Sequence, residues 1–124
     1  MGLSECERRI VLAKDSLVSR IADRIRQLAA ARNVVVSHHA AGRIRARGIL
    51  LADILGGVAH GEVIEDYPDF HKGPALLMLQ RDGGGGPLHV VWGIETGTTE
   101  PAVVVTAYCP EADQWTDDFR TRRP

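Results

Sequence analysis

The second half of the chain constrains the fold most. Residues 62–66, 75–80, 88–95 and 102–108 are four runs rich in β-branched and apolar residues, separated by short stretches of Gly, Pro and Asp. These spacers are shorter than the dozen or so residues a parallel crossover needs, so the runs are expected to pair as an antiparallel meander. One spacer holds four consecutive glycines, residues 83–86, followed by Pro87. A phosphate-binding loop would continue with Gly-Lys-Ser/Thr into a helix. Here the chain enters Leu88-His89-Val90-Val91-Trp92, so the glycines read as a hairpin loop.

The first third has a different period. Ile10, Leu17, Ile21, Ile25 and Leu28 recur at helical spacing behind the capping-box pattern Ser4-x-x-Glu7. A helix from about residue 5 to 32 would be roughly 40 Å long, with Asn33 placed to end it and Asp15-Ser16 a place to break. That excess length favours a second copy or a partner protein on the helix, so a homodimer through it is one expectation. Helices then sheet give an α+β class, and the division drawn is an N-terminal helical extension, 1–33, and a domain, 34–124. At 124 residues, 44% hydrophobic and 25% charged, the chain can bury a core without disulfides or metal. No apolar run approaches a membrane span and no signal-peptide pattern opens the chain. Cys6 and Cys109 form no Cys-x-x-Cys, so a cytoplasmic protein with reduced thiols and no metal or other cofactor is expected.

Charge is divided unevenly. Residues 1–49 carry ten Arg/Lys against four Asp/Glu, and residues 50–124 five against twelve. Within the basic half, Val34-Val35-Val36 reads as a short β-run and Ser37 as the N-cap of a helix from His38 to about Arg47, closed by Gly48. A further helix, about residues 51–60, ends at Gly61. His39, Arg43 and Arg47 are each four apart, which lines an imidazole and two guanidinium groups along one helix face. Guanidinium forks match phosphate oxygens and imidazole moves protons near neutral pH, so the stripe suits RNA binding and cleavage. The structural alternative pairs Arg43 or Arg47 with Glu62, Glu65 or Asp66, and makes His39 a hydrogen-bonded helix-start residue.

Alternation along the third strand sets Leu88, Val90, Trp92 and Ile94 on one face, with His89 opposite. On the fourth it sets Tyr108 and Thr106 on a face with Ala102 and Val104, against Val103, Val105 and Ala107. His89 and Tyr108 therefore share a more polar surface, either as acid-base groups or as a cross-strand pair with a solvated tip. Arg45 and Lys72 are further candidates for RNA contact. Trp115 and Phe119 read as an amphipathic anchoring turn, and residues 116–124 as a basic tail polar enough to fray.

Four blocks, His39-Ala40-x-x-Arg43-Ile44-x-x-Arg47-Gly48-Ile49, Gly61 to Pro68, Pro87 to Trp92, and Tyr108-x-Pro110 with Trp115, resemble the bacterial domain-of-unknown-function family 4258 over about residues 35–122. Leu50 stands where that family often has a polar N-cap, and Ile44 replaces its usual methionine. Members of the family are similar to RelE/ParE-type toxins and MqsR-like messenger-RNA interferases, some encoded beside small zinc-finger antitoxins. The resemblance implies helices followed by a curved antiparallel sheet of about four strands. It also implies a toxin-type, metal-independent endoribonuclease acting through His39, Arg43, His89 and Tyr108, with RNA and a cognate antitoxin as partners. The other reading is a non-catalytic protein-binding module, a ParE-like toxin or adaptor, acting through the first helix.

Overall fold

A computed structural model describes the backbone of residues 5–124 and the side chains from Val18 onward. The Ser4-x-x-Glu7 pattern and the side chains of Cys6, Ile10 and Leu17 lie outside the described residues. The first helix, α1 (Glu5–Ala30), runs without a break and is about 39 Å long at 1.5 Å per residue. It ends in a left-handed residue, Arg32 (φ 60°), while Arg32 N–H donates to the Ala29 carbonyl and Asn33 N–H to that of Leu28. Ala22, Ile25, Leu28 and Ala29 are buried in the same apolar cluster as the sheet residues, so the end of α1 is part of the domain's core.

Next come β1 (Val34–Val36), α2 (His38–Ala46), α3 (Leu51–Gly57) with a 3₁₀ turn at Val58–His60, β2 (Glu62–Tyr67), β3 (Ala75–Arg81), β4 (Pro87–Ile94) and β5 (Ala102–Tyr108). Ser37 caps α2, its Oγ accepting from Ala40 N–H at 3.0 Å. Leu50 begins α3 without a side-chain cap. The described residues thus form an α+β structure with three helices and one open sheet.

Two expectations about the sheet are corrected. The sheet has five strands in the order β1-β5-β4-β3-β2, and it is mixed, because β1 lies parallel to β5 with Val34 opposite Ala102. The Val34–Val36 run satisfies its own backbone groups on the free edge of β5, which the meander alone leaves unpaired. The face assignment along β5 also changes partway. Thr106 pairs with Val91 and Val104 with Trp92, so Val105 is an extra, bulged residue. Ala102, Val104 and Ala107 consequently all face the helices, while Tyr108 faces the other way. A bulge in β2 makes Ile64 the extra residue and sets Glu62, Glu65 and Tyr67 opposite Leu79, Leu77 and Ala75 on that second face.

The helix side of the sheet holds the main core, with Ile25, Ala40, Ile44 and Ile54 against Leu76, Met78, Val90, Trp92 and Val104. One polar side chain lies inside it. Gln80 accepts from Trp92 Nε1–H at 2.8 Å and donates to the Ile54 carbonyl at 2.9 Å, so neither the amide nor the indole is orphaned. On the second face the C-terminal residues cover His89, and they form a hydrogen-bonded hairpin where sequence suggested a fraying tail. Trp115 and Arg122 form an antiparallel bridge, and Thr116 N–H donates to the Thr121 carbonyl at 2.8 Å. Trp115 anchors this segment, being only 2% exposed, but on a hairpin and not on the amphipathic turn its spacing with Phe119 suggested.

Candidate functional site

Ala40 and Ile44 bury one side of α2 against the sheet, which leaves His39, Arg43 and Arg45 exposed on the others. Arg47, just past the helix end, is exposed too, and its Nη1 donates to the Ala107 carbonyl at 2.7 Å. Cations near a helix C-terminus are favoured by its dipole. Among the described residues no carboxylate lies within ion-pair distance of Arg43, Arg45 or Arg47. Two of the acidic residues of β2 that sequence offered as partners, Glu62 and Glu65, are paired instead with arginines from the other end of the chain. Arg120 Nε donates to Glu62 at 2.6 Å, and Arg122 donates to both oxygens of Glu65 at 2.9 and 3.1 Å.

His89 lies on the second face of the sheet, fully buried beneath the C-terminal hairpin. Its expected solvated surface is instead a packed one. The ring meets Trp115 edge-on at 4.4 Å and Tyr108 at 5.2 Å between centroids. Nε2 lies 2.9 Å from the Phe119 carbonyl, which can only accept, so Nε2 carries the proton. Nδ1 therefore presents a lone pair to the Tyr108 hydroxyl, which donates to it across 3.3 Å. Burial pushes the His89 pKa down, with the Phe119 bond and the Glu65 charge acting the other way. Burial thus favours the neutral imidazole. Burial likewise raises Tyr108, against the opposing charge of Arg122.

Tyr108 is only partly covered. Beside it opens a groove of about 610 Å³ lined by Arg47, Tyr108, Cys109, Glu111, Gln114, Trp115 and Arg122. Behind Arg122, Glu65 also accepts from the Tyr67 hydroxyl. Burial works to raise the Glu65 pKa, but the hydrogen bonds from Arg122 and Tyr67 outweigh it and hold the carboxyl below its usual value. Tyr67 is pushed up to about 12 by burial and by Glu65.

The structure thus brings together His89, Tyr108 and Arg47 of the sequence candidates, with His89 as the buried member. Arg43 and His39 continue the same stripe away from the groove, His39 being about 12 Å along the helix from Arg47. His39 and His89 do not share a cleft: α2 packs on the face of Val90 and Trp92, and His89 points through the other. Arg45 is exposed on a different side of α2. Lys72 is in the β2–β3 turn, at the Ala75 end of the sheet, about 13 Å along β3 from the Leu79–His89 pair. Sequence reasoning offered Glu65 only as an ion-pair partner of the α2 arginines, weighed Arg122 only within a basic tail that could touch RNA, and passed over Tyr67. The alternation of Glu65 and Tyr67 on one strand was the available signal for two of them. Among the described residues no group of His, Cys, Asp and Glu is arranged to hold a metal ion, and no helix is long and apolar enough to cross a membrane.

An open, mixed α+β sheet with helices on one face and a short hairpin on the other defines the class of domain. The family described as Domain of unknown function (DUF4258) matches residues 36–109, more than half of the chain. The chain belongs to that family. No curated protein and no solved structure matches it.

Proposed function

We propose that this chain is a toxin-type endoribonuclease, related to RelE/ParE-type and MqsR-like proteins, that cleaves single-stranded or messenger RNA without a metal. One observation carries the reading. Arg43, Arg45 and Arg47 expose guanidinium groups that no described carboxylate neutralises, and Arg47 meets Tyr108 at the mouth of a groove. Unpaired guanidinium groups beside a proton-transferring side chain are what a phosphodiester requires.

In this reading a scissile phosphate lies between Arg47 and Tyr108. The phenol oxygen takes the proton of the ribose 2′-hydroxyl while its own proton passes to Nδ1 of His89, and the freed 2′-oxygen attacks phosphorus. The bond to the 5′-oxygen breaks, that oxygen takes a proton from water, the proton held on His89 returns through Tyr108 to neutralise the hydroxide so formed, and a 2′,3′-cyclic phosphate remains. Arg47, with Arg43 behind it, stabilises charge on the phosphoryl oxygens. His39 lies too far along α2 to serve the same phosphate and, in this reading, touches the same RNA further along. The test is incubation of purified protein with single-stranded RNA in chelator. Tyr108→Phe and Arg47→Ala are each expected to slow cleavage by about a hundredfold, and His39→Ala to raise KM with little change in kcat. Cleavage at the parent rate in both of the first two variants refutes the assignment.

The length of α1 favours a second reading, capture of a protein: a cognate antitoxin, or a second copy in a homodimer. At about 39 Å it outreaches the strands it crosses, of which β4 spans about 26 Å. Removing residues 1–17 keeps Ile25 and Leu28 in the core and is expected to abolish partner capture or lower the mass in solution. An unchanged mass and partner profile counts against it.

A further inference from the structure

We infer that the outer face of the Arg122 guanidinium is a stacking platform for an unpaired nucleobase. The inference rests on the RNA-cleavage reading for the polymer that enters the groove, and adds to it how a base is gripped.

Three constraints fix this guanidinium. The backbone bridge between Trp115 and Arg122 sets the two residues opposite each other on the hairpin, and the Arg123 N–H to Gln114 carbonyl bond (2.9 Å) closes the next rung. The guanidinium carbon lies 4.7 Å above the centre of the indole ring. Its donor edge is held in two-pronged contact by Glu65. Trp115 is itself packed against His89, the two rings nearly perpendicular. The guanidinium thus has indole beneath its central carbon and carboxylate along its edge, yet the side chain is 60% exposed. What remains open is the second flat face, on the wall of the groove that also holds Tyr108 and Arg47.

The chemistry of that face differs from the rest of the groove. The Glu65 charge cancels that of Arg122, so this arginine adds little to phosphate binding, while Arg47 keeps its full charge. A planar, immobilised, charge-compensated surface binds a flat π-system, and arginine planes stack on unpaired bases in single-stranded RNA. Because the side chain is already ordered by Trp115 and Glu65, stacking freezes no additional rotamers. Bases in a duplex are covered by their neighbours and cannot reach the face, so the platform selects single strands.

The test measures binding by fluorescence anisotropy with two labelled, uncleavable probes. One is a short single-stranded 2′-O-methyl RNA, and the other has the same number of phosphates but abasic linkages throughout. The parent protein is expected to bind the first about tenfold more tightly than the second. Arg122→Lys retains a cation for Glu65 but loses the plane, and is expected to bind both probes alike, with a cooperative urea transition followed by tryptophan fluorescence showing that the protein stays folded. If the parent protein binds both probes equally, the platform is wrong and the RNA reading stands. If neither probe binds, the RNA reading falls and the platform with it. A persisting preference for the base-bearing probe in Arg122→Lys places the stack elsewhere and overturns the assignment to Arg122.

Discussion

His89→Gln tests whether the buried imidazole is neutral and what it supports. The variant removes the only titrating group under the hairpin that is wholly buried, while its amide can still donate to the Phe119 carbonyl. At alkaline pH the loss is of packing: two edge-on aromatic contacts, with Trp115 and Tyr108, each worth about 0.5–1.5 kcal/mol, for a total near 2 kcal/mol. Acidification reverses the trend. The native pKa lies below the unfolded value of about 6.5, so between the two the unfolded chain holds a proton that the native state does not. Parent stability is therefore complete above about pH 6.5 and is lost as pH falls through the lowered native value, at up to about 1.4 kcal/mol per pH unit. The glutamine variant has no such loss. Glu65, whose native value is also lowered, titrates below 4.5 and so outside the pH range compared. Urea unfolding followed by the fluorescence of Trp92 and Trp115 from pH 8 to 5 should show the gap between parent and variant narrowing below pH 6.5. Parallel stability profiles across that range refute the argument that burial keeps His89 neutral.

Further expectations follow from the core and the arginine stripe. Gln80→Leu leaves the Trp92 indole N–H and the Ile54 carbonyl buried without partners and should cost about 2–4 kcal/mol in urea unfolding. Ile25→Ala should lose about 2–5 kcal/mol in a single cooperative transition, because α1 shares the sheet's core; a separate early transition would mark α1 as an independent unit. Gly73→Ala places a methyl 2.2 Å from the Ile94 carbonyl at φ +133° and should destabilise by about 3 kcal/mol, read as a fall in Tm. Arg47→Ala should lower the salt dependence of RNA binding by about one charge while costing about 1 kcal/mol of stability or less.

Local signals were legible in the sequence and long-range ones were not. Ser37 has the chemistry of an N-cap, and its bond to Ala40 N–H is the local consequence. The four β-runs were visible from their alternation and turns, and they do pair as a meander. The β5 faces were misread because an alternation rule assumes no extra residue, and nothing in Val103-Val104-Val105 marks which valine bulges. The parallel pairing of β1 depends on the unpaired edge of a strand far along the chain, which periodicity does not report. At the site, His39-x-x-x-Arg43-x-x-x-Arg47 was readable because a helix repeats every 3.6 residues. The partners of Glu62 and Glu65 were not, since the choice between Arg43, Arg47, Arg120 and Arg122 is made by the hairpin that Trp115 pins over His89.

The two sides of the sheet are buried by different stretches of chain. The helices cover one, and residues beyond Cys109 cover the other, past the end of the segment that matches the family. Such an arrangement makes the tail a cap separate from the helix-side core. Replacing it would re-dress the surroundings of His89 and Tyr108, their dryness, charge and reach, while the helix-side scaffold kept its shape.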